Sequence, residues 1–349
     1  MTAAIHISEN CFVTVFEKNK KCGVKLAITG KGRCNVTNIA SVREMLPMIP
    51  RGGKFLLSAL NGFSSADVME FFTSLGVPLK TERGGRVFPV SDKAGDIVSA
   101  LNGEIKRRKN IRVEFSAVLS IEKASEGFTV KTAKGEFFFD KVIIATGGKS
   151  YPSTGSDGDG YRFAEALGHT VSPVRPALVP INTKEKFVSS LSGLSLKNTA
   201  ITVTDRNGKK IYSDFGEMLF CHFGVSGPMI LSASSYLDFS KEPEYRLFID
   251  LKPALDRETL DRRILSDFSE NLNRNFSNSL SRLLPSSLIP VIVALSGTDP
   301  EKKVNLITRE ERRTLVSLLK ALPLTLTSPR PMDEAIITCG GVSTGEINP

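Results

Sequence analysis

The alternation of apolar and polar residues predicts a chain of short strands and helices. An apolar, β-branched and aromatic run at residues 11–17 ends in a glutamate and is typical of a buried strand. Ser64 is expected to begin a helix, with Asp67 in the capping-box position, apolar residues on one face and Gly76 at its end. The spacing predicts a second helix over residues 92–108.

Four strand patterns separated by polar turns come next, and they predict an antiparallel meander. These patterns are Ile111–Phe115, Val118–Lys123, Gly127–Thr132 and Glu136–Phe139. Residues 141–148 are apolar and run into two glycines, as in a central parallel strand. The segment 335–342 repeats this texture close to the other end of the chain.

Between these two segments that end in glycines, the pattern of apolar and polar residues changes. Asn207-Gly208 joins two strand patterns as a hairpin, and Pro228 is placed to start a helix. Helices are predicted over 257–284 and 310–322. We therefore expect an inserted region, after which the chain returns to its first domain.

A glycine-rich basic stretch, Lys25–Asn38, follows the first predicted strand. It is interpreted as a turn that exposes backbone N–H groups and cationic side chains together, which a phosphate-bearing cofactor requires. Glu17 stands where a dinucleotide-binding domain has the acid for its ribose hydroxyls. The glycine fingerprint that precedes such an acid would lie before Met1, and the alternative is that Glu17 ends an ordinary surface strand.

Two matched glycine pairs add to this picture. Gly147-Gly148 and Gly340-Gly341 each follow an apolar segment, where glycine permits close approach of a ligand or a tight turn. The spacing Gly155-x-x-Gly158-x-Gly160 departs from the nucleotide-binding fingerprint, so we interpret it as the start of a helix.

Composition narrows the class of protein. The chain has 349 residues, 41% of them hydrophobic, and no run of 18 apolar residues, which argues against a transmembrane helix. The N-terminus lacks the features of a signal peptide, and the five scattered cysteines fit a reducing cytoplasm better than disulfides or zinc. The three histidines are too dispersed for a metal cluster. The net charge of +9 is compatible with nucleic acid, a membrane surface or an anionic cofactor, but the basic runs at 106–109 and 309–313 favour solvated helix faces.

Several motifs in this order resemble the BaiN-type family of FAD-dependent NAD(P)/FAD oxidoreductases. They are Ile28–Asn38, Gly84–Pro89, Ile144–Pro152, Gly155–Gly168, Gly216–Phe220, Phe223–Pro228 and Gly340–Val342. The resemblance spans the whole chain. It implies an α/β fold, an FAD/NAD(P)-binding Rossmann-like domain interrupted by an α+β insert.

The resemblance also implies domain limits and cofactor contacts. The Rossmann-like domain would cover 1–173 and 332–349, and the inserted substrate region 174–331, β-rich over 174–254 and helical over 255–331. Glu17 would hold the adenosine ribose. The other residues expected to bind FAD are Lys25, Arg33, Cys34, Asn35, Val118, Thr146, Gly147, Gly340, Gly341 and Val342. Family members begin with a further strand and fingerprint and end with a further glycine-rich segment, so we expect this chain to be truncated at both ends.

The chemistry implied is hydride transfer between an NAD(P)H-reduced flavin and a small organic substrate, such as a conjugated enone of the bile-acid or steroid type. The alternatives are an amine oxidase of the aminoacetone type, a non-catalytic fragment that cannot hold FAD, and an RNA-modifying flavoprotein. A nucleic-acid or membrane partner is not favoured, and the oligomeric state stays open. His222, Ser226 and Tyr151 are candidate catalytic groups, each with a plain structural alternative. Cys34 beside the flavin could be redox-active or a buried structural thiol.

Overall fold

The computed structural model describes residues 1–270 and 272–348. The chain forms two compact units, unit 1 from Met1–Arg175 with Gly340–Pro349 and unit 2 from Pro176–Cys339. The chain leaves and re-enters unit 1 within two strands that are hydrogen-bonded neighbours, Val171–Ala177 and Ile337–Val342.

Within the described residues, unit 1 contains short helices and four small sheets, one of which is the pair formed by Val171–Ala177 and Ile337–Val342. The helices are α1 (Thr2–His6), α2 (Val24–Gly32), α3 (Val42–Met45), α4 (Leu57–Gly62), α5 (Ser65–Ser74), α6 (Ala94–Arg107) and α7 (Asp159–Ala166). The strands are β1 (Val13–Glu17), β2 (Thr37–Asn38), β3 (Leu79–Glu82), β4 (Arg86–Pro89), β5 (Ile111–Phe115), β6 (Val118–Lys123), β7 (Phe128–Thr132), β8 (Gly135–Phe139) and β9 (Val171–Ala177).

The predicted meander is right for three of its four strands. β6, β7 and β8 pair antiparallel in that order. The expectation for Ile111–Phe115 was wrong, because this strand, β5, instead pairs parallel with β1, with Val13 opposite Ile111 and Glu17 opposite Phe115. Parallel strands need a long connection between them, and the stretch that carries α2 to α6 supplies it.

The core of unit 1 lies along α6. Ile97, Leu101 and Ile105 recur every four residues on one face of this helix and are 0–2% exposed. They pack with Phe72 of α5 and with the thiol-bearing Cys34. A separate small cluster joins the meander to α7.

The central strand predicted at residues 141–148 does not form, so this prediction was wrong. The segment has no strand pairing among the described residues, and Ile143 and Ile144 are 63% and 39% exposed. Apolar composition favours a buried strand, but a strand exists only where a neighbour satisfies its backbone hydrogen bonds.

The turn predicted over Lys25–Asn38 forms only after a short helix, which is a second correction. α2 begins at Val24, its backbone angles depart from helical values at Thr29, Gly30 and Lys31, and β2 ends the stretch. The glycines act at the end of that helix, where Gly30 has φ +57° and Lys31 follows with φ +59°. The glycine-rich motif therefore turns the chain out of a helix rather than out of a strand.

Unit 2 is a closed barrel with helices beside it. The barrel strands are β10 (Ile181–Thr183), β11 (Ser195–Thr204), β12 (Lys210–Cys221), β13 (Gly224–Ser226), β14 (Tyr245–Asp250) and β15 (Leu322–Pro329). Their order is β10-β13-β12-β11-β14-β15, closed by antiparallel pairing of β15 with β10. The helices are α8 (Pro228–Ser234), α9 (Arg257–Ser269), α10 (Phe276–Ser279), α11 (Ile289–Ser296) and α12 (Arg309–Lys320), and β16 (Ile337–Val342) leads back to unit 1.

The barrel interior and the helices share one apolar core. Phe220, Leu247 and Leu326 from the strands and Leu260 and Leu319 from the helices are all fully buried in it. The β11–β12 hairpin and the start of α8 at its proline are confirmed.

Two expectations for unit 2 need correction. The stretch 255–331, expected to be helical, also contains β15. The apolar residues of β15 alternate along the chain, and β15 is a strand of the barrel. The single helix expected over 257–284 is α9 followed by the short α10. Asn271 within that stretch lies outside the described residues. Across the part of the chain that the structure describes, no helix is both long and apolar enough to cross a bilayer.

Candidate functional site

The carboxylate of Glu17, at the end of β1, has one oxygen held by hydrogen bonds. Oε1 of Glu17 accepts hydrogen bonds from the backbone N–H of Asn19 at 2.8 Å and from Nδ2 of the same residue at 2.7 Å. Among residues 1–270 and 272–348, no donor reaches its Oε2 within hydrogen-bonding distance. One oxygen is thus held in place, and the other can accept a hydrogen bond from a ligand.

A glycine-rich loop, residues 146–158, packs against Asn19, the residue that holds this carboxylate. Nδ2 of Asn19 also donates to the backbone oxygen of Thr154 at 3.1 Å. Gly155 follows with φ +93°, and a Cβ there would lie 2.7 Å from the same Nδ2. A side chain at this position would push Asn19 away, so the glycine permits the close approach.

Lys18 fastens the same loop to the end of β1. Its Nζ lies 2.6 Å from Oδ2 of Asp157 and 3.0 Å from Oδ2 of Asp159, the first residue of α7. Burial acts to lower the pKa of Lys18, but the hydrogen bonds and charges of the two aspartates outweigh it, so the pKa is raised. This lysine is therefore a charged tie within the protein.

Lys25, an expected cofactor ligand, contacts the loop as well. Its Nζ donates to the backbone oxygen of Ser150 at 3.1 Å and to the hydroxyl oxygen at 3.2 Å. The same ammonium lies 5.8 Å from the centre of the Tyr151 ring, within cation–π distance. Burial lowers the pKa of Lys25. Tyr151 itself has φ +53°, a left-handed conformation uncommon for a tyrosine.

Thr146 and Gly147 begin the loop beside α7. A Cβ on Gly160 of α7 would lie 2.2 Å from Oγ1 of Thr146, so this helix approaches the threonine more closely than any other residue type would allow. Gly147 has φ +77° and faces the buried Ser156, whose hydroxyl would lie 3.2 Å from a Cβ there. The glycines of this segment serve close packing of the protein on itself.

The second glycine pair shows the same use. A Cβ on Gly340, which has φ +88°, would lie 2.3 Å from the backbone oxygen of Pro173 in β9. A Cβ on Gly341 would lie 3.0 Å from the Tyr161 ring of α7. Val342, the last residue of β16, is half-buried.

Arg33, after the end of α2, is paired with two carboxylates. Its guanidinium bonds both oxygens of Glu82, and its Nε lies 2.8 Å from Oδ1 of Asp92. The Phe88 ring lies beneath it at 4.2 Å. The hydrogen bond from Arg33 holds the pKa of Glu82 below its ordinary value. In this conformation the positive charge of Arg33 is compensated within the protein.

The two residues that follow Arg33 differ in exposure. Cys34 is 1% exposed with φ +59°, and burial raises the pKa of its thiol despite a hydrogen bond with Thr29. Asn35 is exposed, and its amide nitrogen can donate to the backbone oxygens of Thr37 at 3.0 Å and Val87 at 3.3 Å.

Val118 begins β6 opposite Thr132. Its side chain packs against the small cluster that joins the meander to α7, and so does that of Phe16, the residue before Glu17.

His222 and Ser226 belong to unit 2, where His222 lies in the turn between β12 and β13 and Ser226 ends β13. The exposed imidazole meets the Phe223 ring edge-to-face at 5.0 Å. Arg330 lies 4.4 Å above that ring and bonds Glu334 through Nε at 3.0 Å. Ser226 pairs opposite Leu219 in the barrel and is half-buried. Tyr151, the third catalytic candidate, lies in unit 1.

Sequence reasoning missed the residues that connect the loop to β1. Lys18, Asn19, Ser150 and Thr154 make the bonds described above, and none of them was among the predicted site residues. Ser150 and Thr154 could have been noticed in the sequence as hydroxyl residues in a glycine-rich loop. When such residues are buried, their polar groups are hydrogen-bonded. Ser150 is 1% and Thr154 8% exposed.

The arrangement defines a class of site. A parallel strand ending in an acid with one available oxygen, next to a glycine-rich loop that leads into a helix, suits the ribose of a dinucleotide and is characteristic of Rossmann-type domains. Within the described residues, no group of three or more His, Cys, Asp or Glu is arranged to hold a metal ion.

Comparison with known proteins is consistent with this class. Residues 1–349 match the family model described as HI0933-like protein Rossmann domain. The chain therefore belongs to the HI0933-like Rossmann family of FAD-binding, BaiN-type proteins, and it is an oxidoreductase with a flavin cofactor. The resemblance inferred from the motifs is confirmed, and so is the α/β Rossmann-like fold.

Individual relatives are more distant. The chain is 29% identical, in an alignment of 355 positions that covers 99% of its length and 84% of the relative's, to a protein of Clostridium scindens named 3-dehydro-bile acid delta(4,6)-reductase. It is 30% identical over 96% of its length and 81% of the relative's to a ribosomal RNA dihydrouridine synthase of Haemophilus influenzae. A glycine oxidase structure from Geobacillus kaustophilus aligns over 56% of each chain, with 15% identity and a TM-score of 0.24.

Proposed function

We propose that the protein reduces a carbon–carbon double bond conjugated to a carbonyl group in a small organic substrate, with FAD as its cofactor and NAD(P)H as the electron donor. The observation that carries the proposal is the Glu17 carboxylate, which keeps one oxygen without a partner among the described residues at the carboxyl end of a parallel strand. The relative from Clostridium scindens supports the reaction type, because its name specifies reduction of double bonds in a 3-dehydro bile acid.

The role of unit 1 in this proposal is to hold the cofactor. Oε2 of Glu17 would accept a hydrogen bond from a ribose hydroxyl, and Thr146 and Gly147 would lie along the cofactor. When bound, the flavin supplies the hydride chemistry. The ties from Lys18 and Lys25 to the glycine-rich loop keep these residues in place before the cofactor arrives.

The reaction also needs a proton. Hydride adds to the carbon β to the carbonyl and a proton to the α carbon, so the enone, NAD(P)H and one proton become the saturated carbonyl compound and NAD(P)⁺. His222 is our first candidate for the proton donor, because its imidazole is exposed beside Phe223. The Glu334 carboxylate lies near this imidazole, and its pKa is lowered first by the hydrogen bond from Arg330 and last by His222. Ser226 and Tyr151 are the other two candidates.

The experiment uses the purified chain incubated with FAD and freed of excess cofactor. We expect retained flavin absorbance, bleaching by NADPH without oxygen, and recovery of the absorbance on addition of a steroid 4-en-3-one but not of the matching saturated ketone. Absence of flavin absorbance after FAD addition would contradict the cofactor assignment. Bleaching of the flavin by an amine, with recovery on addition of oxygen and never with the enone, would point to an oxidase instead.

A uridine in ribosomal RNA is the second candidate substrate. Dihydrouridine is uridine whose ring double bond, conjugated to a carbonyl, has been reduced, so the same hydride and proton additions produce it. The observations that favour it are the relative from Haemophilus influenzae and the net charge of +9, which suits a polyanionic partner. Presenting the reduced protein with a steroid enone and with a uridine-containing ribosomal RNA fragment, and measuring by mass the gain of two hydrogens, distinguishes the two.

A further inference from the structure

The amide of Asn19 connects two parts of unit 1. One Nδ2 hydrogen is directed to Oε1 of Glu17 at 2.7 Å, and the other to the backbone oxygen of Thr154 at 3.1 Å. The backbone N–H of Asn19 donates to the same Oε1 at 2.8 Å. We propose that Asn19 is a positioning residue that aims Oε2 of Glu17 at the 2′-hydroxyl of the adenosine ribose. This inference rests on the proposed FAD cofactor.

The hydrogen-bonding capacities of the groups support this assignment. A carboxylate oxygen has two lone pairs, and both lone pairs of Oε1 are engaged by Asn19. The carboxylate plane is therefore fixed by two donors from a single residue. Oε2, which receives no hydrogen bond from the described residues, is left as the acceptor for a ligand.

The second amide hydrogen makes this orientation depend on the loop. Thr154 is 8% exposed, and a buried backbone carbonyl needs a hydrogen-bond donor from the protein. Gly155 leaves room for the amide, since a Cβ there would lie 2.7 Å from Nδ2. The loop is held in turn by Lys18 through Asp157. Asn19 therefore has one allowed orientation, in which it sets the direction of Glu17.

A purely structural tie would have a different signature. If Asn19 only held the loop, its loss would weaken binding of every FAD-like ligand by the same factor. If it aims Oε2, its loss would remove the advantage that a 2′-hydroxyl gives a ligand. The readout is therefore the ratio of the Kd of an FAD analogue with 2′-deoxyadenosine to the Kd of FAD.

The experiment measures both Kd values by quenching of flavin fluorescence for the wild type and for Asn19→Ala, Asn19→Asp and Glu17→Gln. We expect the wild type to prefer FAD by about tenfold, as for one hydrogen bond to a charged acceptor. The ratio should fall towards one in Asn19→Asp, whose carboxylate would repel both Oε1 and the Thr154 oxygen, and in Glu17→Gln, and to an intermediate value in Asn19→Ala, which keeps the backbone N–H bond.

Asn61→Ala is the matched control, since this exposed asparagine of α4 also bonds a backbone carbonyl, that of Leu57 at 2.9 Å, and should leave the ratio unchanged. An unchanged ratio in both Asn19 variants, with Kd raised equally for both ligands, would overturn the inference and leave the FAD assignment standing. A wild type that binds neither ligand would instead overturn the proposed function and this inference with it.

Discussion

The ammonium nitrogen of Lys25 lies 3.1 Å from the backbone oxygen and 3.2 Å from the hydroxyl oxygen of Ser150, a residue 125 positions away in the chain. Lys25 was expected to contact the cofactor, and in the structure its ammonium bonds the loop beside the candidate ribose acid. A lysine near a cofactor site can thus contribute by holding a loop of the protein in place, without contacting the cofactor.

Replacing Lys25 with methionine tests the contribution of this contact. Methionine keeps the apolar stem but removes both hydrogen bonds to Ser150, so we expect the free energy of unfolding to fall by about 1 kcal/mol. Urea unfolding followed by circular dichroism measures the change. Lys54→Met, at an exposed lysine of unit 1, is the control and should be close to neutral. Equal effects of the two substitutions would mean that the Ser150 contact contributes nothing to stability.

Glycine substitutions test the close approaches at the two matched segments. Alanine at Gly340 would place Cβ 2.3 Å from a backbone oxygen at φ +88°, and alanine at Gly160 would place it 2.2 Å from Oγ1 of Thr146. We expect each to lower the free energy of unfolding by on the order of 2 kcal/mol, because the backbone or its neighbour must move.

The matched control for both is Gly103→Ala. Gly103 lies within α6, and a Cβ there meets no atom within 4 Å. Alanine is the better helix former, so this substitution should be neutral or stabilise by about 0.5–1 kcal/mol. Thermal melts of the three variants give the comparison. If Gly340→Ala were as stable as Gly103→Ala, the packing of β16 on β9 would not require glycine.

Glu104 gives a pH dependence whose sign can be worked out. The hydrogen bond from Arg107 at 2.7 Å, assisted by Arg108 at 3.0 Å, lowers the pKa of Glu104 from 4.5 to about 2. A carboxylate with a lower pKa in the folded state stabilises the protein above its unfolded pKa, and that stability is lost as the pH falls. The loss should therefore develop between about pH 4.5 and about pH 2.

The measurement is the urea midpoint as a function of pH for the wild type and Glu104→Gln. We expect the variant to be less stable at neutral pH and the two curves to converge as the pH falls through this window. Glu126→Gln changes an exposed glutamate that forms no ion pair within the described residues, and its curve should follow the wild type. A constant difference between the wild-type and Glu104→Gln curves at all pH values would rule out the ion pairs as its cause.

Local signals in the sequence predicted local structure well. The capping box of α5 forms as expected, with the hydroxyl of Ser64 accepting from the backbone N–H of Asp67 at 3.4 Å and the carboxylate of Asp67 accepting from that of Ser64 at 2.7 Å. The helix and its cap are set by residues within one turn of each other, so their pattern is visible in one short window. The family motifs were sufficient for the class of fold and the flavin.

Pairings between distant segments could not be predicted in the same way. Ile111–Phe115 has the alternation of a strand whether it pairs antiparallel with its sequence neighbour or parallel with Val13–Glu17, about a hundred residues earlier. The partner of Lys25 was hidden for the same reason. A lysine in a glycine-rich stretch has the same pattern whether its ammonium faces an anion or a carbonyl of its own protein.

The last prediction concerns the cysteines and returns to the choice left open for Cys34. A redox-active cysteine requires an accessible thiolate. Cys34 is 1% exposed and Cys22 6% exposed, and burial raises the pKa of both thiols, with the charge of Glu17 adding to the effect at Cys22. Cys11 is exposed. We expect iodoacetamide at neutral pH to modify Cys11 first, and Cys34 only after unfolding in urea, as followed by peptide mass spectrometry. Because the reagent reaches only accessible thiolates, modification of Cys34 in the folded protein as fast as Cys11 would favour the redox-active alternative over a structural thiol.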